Sequence, residues 1–106
     1  MTAFTLDALA DLIRARASES EGASYTSSLL KAGTARCARK FGEEAVELVI
    51  AAMEKDRKGV TMEAADVLYH LLVLLQSGGV SLQDVMRELG QRTAQSGLAE
   101  KAARKA

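Results

Sequence analysis

The chain contains no proline and no tryptophan, one cysteine, and only 4% aromatic residues. Each shortage removes an option. Without proline, nothing in the sequence breaks a helix by a missing N–H or a ring clash. With so few aromatics, the core has to be assembled from Leu, Val, Ile, Ala and Met, whose small or straight side chains suit closely packed helices. Cys37 has no second thiol to pair with, so an intrachain disulfide is excluded and a reducing cytoplasm is the expected compartment. An excess of one charge is also missing. The 14 basic and 14 acidic residues cancel, unlike the balance of a nucleic-acid-binding domain. Long hydrophobic runs are absent too: the stretch from Val67 to Leu75 is interrupted by Tyr69 and His70, well short of the roughly 20 residues of a membrane span. Met1-Thr2-Ala3-Phe4-Thr5 has no basic segment leading into an apolar one, so no signal peptide is expected. One domain over residues 1–106 follows, with a core thin enough that a second copy of the chain would help to bury it.

What is present is helical periodicity. Leu6, Leu9, Leu12 and Ile13 recur at helical spacing behind Thr5, a suitable N-cap, and predict a helix to about Ala17. Ser18 to Gly22 is polar loop, and Ser24 to Leu30 is expected to enter a short helical turn closed by Gly33. A long helix is predicted from Thr34 to about Glu54, then a turn at Asp56-Arg57-Lys58-Gly59. Thr61 is expected to cap a further helix that runs to Gln76 and stops at Gly78-Gly79. Ser81 caps the last one, with Asp84 in its first turn. Residues 97–106 are Ala- and Lys-rich and are expected to form a loosely ordered tail. No segment alternates with period two. The fold class is therefore all-α, a helical bundle built round an antiparallel pair of the two long helices.

The most informative stretch is Ala64 to Leu75, apolar on nearly every side except at Asp66 and His70. A helix without a polar face is expected to be buried all round, inside a domain or between subunits, which also predicts a homodimer. Asp66 lies one turn after Glu63 on the same face. A carboxylate in such surroundings needs a partner, because burying it bare costs several kcal/mol or more. The preceding helix supplies candidates. Glu43, Glu44 and Glu47 stand opposite an apolar arc of Phe41, Ala45, Leu48, Val49, Ala52 and Met53. Taken alone they would be a solvated face. Across an antiparallel hairpin, however, positions whose numbers share one sum are level, and Glu44 with Asp66 and Glu47 with Glu63 satisfy this about Lys55. Two acid pairs then face each other between helices about 8–10 Å apart.

Four carboxylates so placed repel one another, and a hard divalent cation relieves that. Oxygen-only ligands suit Mg²⁺, with Mn²⁺ the alternative. The Glu-x-x-His of di-iron bundles is absent, and no second His or Cys is present to build a zinc site. A hydrated Mg²⁺ site suits polyphosphate hydrolysis. A carboxylate left over from ligation serves as general base, and Glu43 is the candidate. No GxxxxGK[ST] loop is present.

Glu43-Glu44-x-x-Glu47 followed by Glu63-x-x-Asp66 resembles the signature of the MazG-like all-helical nucleotide pyrophosphohydrolases. Four ordered blocks narrow the resemblance to the phosphoribosyl-ATP pyrophosphatase family: Ser24-Tyr25-Thr26-x-x-Leu29-Leu30-x-x-Gly33, Lys40 to Glu47, Ala65 to Leu75, and Ser96 to Ala102. The resemblance implies Mg²⁺-dependent hydrolysis of phosphoribosyl-ATP to phosphoribosyl-AMP and pyrophosphate, the second step of histidine biosynthesis, by a cytoplasmic homodimer. It matches Glu44, Glu47, Glu63 and Asp66 to metal ligands and Glu43 to the base. A pyrophosphatase that clears dUTP, dCTP or damaged nucleotides is the alternative, and a non-enzymatic helical dimerisation module a remoter one.

Among the remaining candidates, Lys40, Tyr25 and Thr26 carry two expectations each. Lys40 suits either substrate phosphates or an ion pair one turn away. Tyr25 and Thr26 suit either nucleotide contact or anchoring of their loop. His70 is expected to be a satisfied buried histidine, Cys37 a small core residue, and Tyr69 a packed ring whose hydroxyl finds one partner.

Overall fold

The structure, a computed structural model, describes residues 3–94 and Arg104. The Ser96 to Ala102 block lies outside the described residues, as does the expected tail apart from Arg104. Between residues 3 and 94 five helices follow one another: α1 (Leu6–Ala17), α2 (Tyr25–Ala32), α3 (Thr34–Met53), α4 (Arg57–Gly78) and α5 (Leu82–Thr93). There is no strand among the described residues.

Caps explain most of the boundaries. The Thr5 hydroxyl accepts from Ala8 N–H at 3.0 Å, and the Ser81 hydroxyl accepts from Asp84 N–H at 3.1 Å. Helix α2 is fuller than the expected turn because Ser24 and Ser27 form a reciprocal capping box, each side chain accepting the other's backbone N–H at 3.0 Å. Gly33, at φ +104°, separates α2 from α3 in a conformation that side chains rarely adopt. Gly79 closes α4 in the left-handed region, with Gly79 N–H on Gln76 O at 3.2 Å and Val80 N–H on Leu75 O at 3.0 Å, the paired bonds of a Schellman ending.

The start of α4 departs from expectation. Thr61 does not cap it. The helix begins at Arg57 with Asp56 as N-cap, its carboxylate accepting Gly59 N–H at 3.0 Å, and the Thr61 hydroxyl donates to the Arg57 carbonyl inside the helix. Gly59 makes the cap feasible, since a Cβ there would stand 2.4 Å from an Asp56 oxygen. The link from α3 is only Glu54, Lys55 and Asp56, with Lys55 at φ +58°. Asp56→Ala should lower stability by about 1 kcal/mol in chemical denaturation.

All five helices meet in one core. Ile13, Leu29, Cys37, Leu72, Val73 and Leu82 pack together, and the Cys37 thiol donates to Leu29 O at 3.3 Å. Burial raises the Cys37 thiol above its ordinary pKa, so it behaves as a small apolar residue. Helix α3 packs most extensively on α4.

The expectation that α4 is buried all round does not hold within one chain. His70, Leu72 and Val73 are its buried residues, whereas Met62, Asp66 and Leu68 are exposed. Among the described residues, no helix covers Met62 and Asp66 on that outer surface. The apolar arc of α3 divides in the same way: Val49 is 60% and Met53 79% exposed, while Phe41, Ala45 and Leu48 are half-buried.

Candidate metal centre

Helix α3 contributes Lys40, Glu43, Glu44 and Glu47 to one site, and α4 contributes Glu63 and Asp66. Glu44, Glu63 and Asp66 each offer a carboxylate oxygen, and the three oxygens lie within 4.8 Å of one another. Glu47, one turn along α3 from Glu44, is not one of the three, but it is close enough to help raise the pKa of both Glu44 and Glu63. Asp66 and Glu47 are exposed, whereas Glu44 and Glu63 are half-buried. In both half-buried acids the Oε2 atom is enclosed and has no hydrogen-bond partner. Buried polar atoms are nearly always satisfied, so two orphaned oxygens beside a third carboxylate fit a set of cation ligands better than a closed polar network.

Electrostatics point the same way. Desolvation is the main cause that raises the pKa of Glu44, followed by the charges of Glu47 and Asp66. Glu63 is raised for the same reasons, burial first and its acidic neighbours next. The metal-free native chain therefore holds protons that the unfolded chain releases from its ordinary value of 4.5 upward. Stability contributed by protonation is present below that value and is lost as pH rises through the elevated folded values. Melting in a chelator should show this acid cluster destabilising the fold increasingly as pH rises above the ordinary glutamate value of 4.5. The difference from Glu44→Gln isolates the contribution of the cluster, because that variant should lose part of the fall.

Around the acids sit the other predicted residues. The Lys40 ammonium is 3.4 Å from Glu43 and 3.9 Å from Glu44, pairing with both. The hydrogen bond to Glu43 is the main cause that raises its pKa, with Tyr25 and the carboxylates adding to it, so Lys40 remains charged. Tyr25 is 52% exposed, and its hydroxyl lies 3.2 Å from His70 Nε2. Thr26, by contrast, is buried, with its hydroxyl on the Tyr69 hydroxyl. Burial raises the pKa of the Tyr69 phenol, which keeps it protonated for that bond.

Sequence reasoning missed the link between α2 and the site. Neighbours Tyr69 and His70 on α4 hold neighbours Tyr25 and Thr26 on α2. The two polar doublets were visible, but no local periodicity relates positions so far apart in the chain.

Comparison with known proteins follows the same lines. The model of the phosphoribosyl-ATP pyrophosphohydrolase family matches residues 6–93. A phosphoribosyl-ATP pyrophosphatase of Methylobacterium radiotolerans is 59% identical over 105 residues, covering 99% of this chain and 98% of the relative. Its counterpart in Methylobacterium nodulans is 57% identical over the same shares, and that of Nitrobacter winogradskyi is 59% identical over 98% of this chain and 90% of its own.

Proposed function

The chain belongs to the phosphoribosyl-ATP pyrophosphohydrolase family, and from that premise we propose that Glu44, Glu47, Glu63 and Asp66 hold the Mg²⁺ of its reaction. The chain hydrolyses phosphoribosyl-ATP to phosphoribosyl-AMP and pyrophosphate in histidine biosynthesis. The observation that carries the metal assignment is the group of three carboxylate oxygens within 4.8 Å of one another. The enclosed, partnerless oxygens of Glu44 and Glu63 support it. When bound, Mg²⁺ neutralises charge building on the phosphate oxygens and orients them for attack.

The rest falls to side chains. Lys40 carries a fixed positive charge at the edge of the acids, where it draws in the polyphosphate and holds it. Glu43, partly exposed and not among the clustered oxygens, is the base that takes a proton from the attacking water. Water adds across the α–β anhydride, and pyrophosphate leaves. Tyr25 offers its exposed ring to the substrate, whereas buried Thr26 anchors the first turn of α2.

Helices α3 and α4 are read as the central antiparallel pair. The 2.6 Å contact between Thr34 Oγ1 at the start of α3 and Ser77 Oγ at the end of α4 supports that. A second copy of the chain is the proposed cover for Val46, Val49, Ile50 and Met53 of α3 and for Met62 and Leu68 of α4. Among the described residues, no single helix is long and apolar enough to cross a membrane. The lone Cys37 supports a cytoplasmic site of action.

Purified protein given phosphoribosyl-ATP and Mg²⁺ should release pyrophosphate and no orthophosphate. Preference for dUTP or dCTP would overturn the substrate assignment. Turnover that survives complete chelation would overturn the metal.

A further inference from the structure

His70 is the chain's single histidine, is 5% exposed, and uses both ring nitrogens. Nδ1 lies 2.8 Å from the Asp66 main-chain carbonyl, which only accepts, so Nδ1 carries a proton. In the neutral ring Nε2 is then the acceptor, and the Tyr25 hydroxyl 3.2 Å away donates to it. The Tyr25 ring lies edge-on to His70, with centroids 6.0 Å apart, and near-parallel to Tyr69 at 6.2 Å and 20°. Tyr69 is itself edge-on to His70 at 5.0 Å. Two neighbouring rings and one directed hydrogen bond thus fix an aromatic side chain that is otherwise half in solvent.

We infer that His70 is a positioning residue for the substrate: through its Nε2 it holds Tyr25 at the rim of the acid cluster, where the exposed ring meets the bound nucleotide. The inference rests on the activity proposed above and adds a role to a residue outside the metal set. Its placement supports it. His70 follows Asp66 by one helical turn, and Lys40, which pairs with Glu43 and Glu44, counts Tyr25 among the groups that raise its pKa. A free Tyr25 side chain would lose rotamer freedom on binding substrate, whereas a pinned one has already lost it. The effect therefore falls on affinity and not on the chemical step.

The ring nitrogens of a lone histidine give one unambiguous set of ¹⁵N signals. A proton on Nδ1 with Nε2 bare is expected, and Tyr25→Phe should shift the Nε2 signal most. In kinetics, Tyr25→Phe and His70→Leu should each raise KM for phosphoribosyl-ATP by about tenfold, the loss of about one hydrogen bond, with kcat little changed. The double variant should be no worse than either single one. His70→Gln, which keeps an acceptor near the Nε2 position, should recover much of the loss. A proton on Nε2, a wild-type KM in Tyr25→Phe, or additive effects in the double variant would overturn the proposal. So would a loss of thermal stability in His70→Leu with KM unchanged. If His70→Leu fails to fold, Tyr25→Phe and the nitrogen spectrum decide. Absence of phosphoribosyl-ATP turnover in the unaltered protein refutes the activity instead, and the spectrum then decides the hydrogen-bond chain by itself.

Discussion

Glu44→Gln should reduce turnover of phosphoribosyl-ATP by more than about 100-fold, since a lost metal ligand costs at least as much as the outer-shell partners that orient one. The same change should make the metal-free protein more resistant to heat. Both results come from one carboxylate. In the native chain Glu44 is half-buried, faces Glu47 and Asp66, and keeps an enclosed oxygen without a partner. Its charge is therefore unfavourable until a cation arrives, and a neutral amide of nearly the same shape removes the repulsion along with the ligand. Asp66→Asn should show the same loss of activity, with a smaller gain in stability because Asp66 is exposed. Steady-state assays and thermal melts in a chelator measure both. Full activity in the two variants would end the metal assignment. Lost activity with lost stability would instead mark Glu44 as a structural acid, tied into the fold through Lys40.

The second large effect is that of the metal on folding. A ligand bound only by the native state stabilises it by about 2.7 kcal/mol at a hundred times its dissociation constant. In a domain of this size that corresponds to a rise in Tm of roughly 10 °C or more. Saturating Mg²⁺ or Mn²⁺ should therefore raise the melting temperature of the wild-type protein strongly near neutral pH. The rise should shrink toward pH 5, where protons compete for Glu44 and Glu63, both of which hold them more tightly than a free glutamate. Glu44→Gln should show little of it. Magnesium-independent melting would favour a network of ion pairs, for which added salt is neutral or weakening.

Much of this was legible before any coordinates, and the reasons are particular. Glu44, Glu63 and Asp66 could be placed together because helical hairpins obey a simple numerical register, and because an acid inside Ala64–Leu75 needs explaining. The family resemblance covered the same residues. The start of α4 was misplaced because Asp-Arg-Lys-Gly has turn composition. The glycine that suggests a break is the residue that gives the Asp56 cap its space. The burial of α4 is incomplete within one chain because an apolar sequence reports what must eventually be covered, not which chain covers it. Val49 and Met53 on α3 show the same limit. The Tyr25–His70 bond could not be read, since it depends on how α2 is laid across α4 and not on any spacing within either.

The three residues between α3 and α4 have a consequence for how this sequence tolerates change. Helices turn by about 100° per residue, so one extra amino acid beyond the Asp56 cap would swing Glu63 and Asp66 to a different side of α4 while every helix stayed intact. Lys55, at φ +58°, already occupies a left-handed backbone state that residues other than glycine rarely adopt, which leaves little slack to absorb an addition. Of the surface connections in the chain, this one should be the least forgiving of insertions and deletions. The polar loop between α1 and α2, which sets no such alignment, should accept them freely.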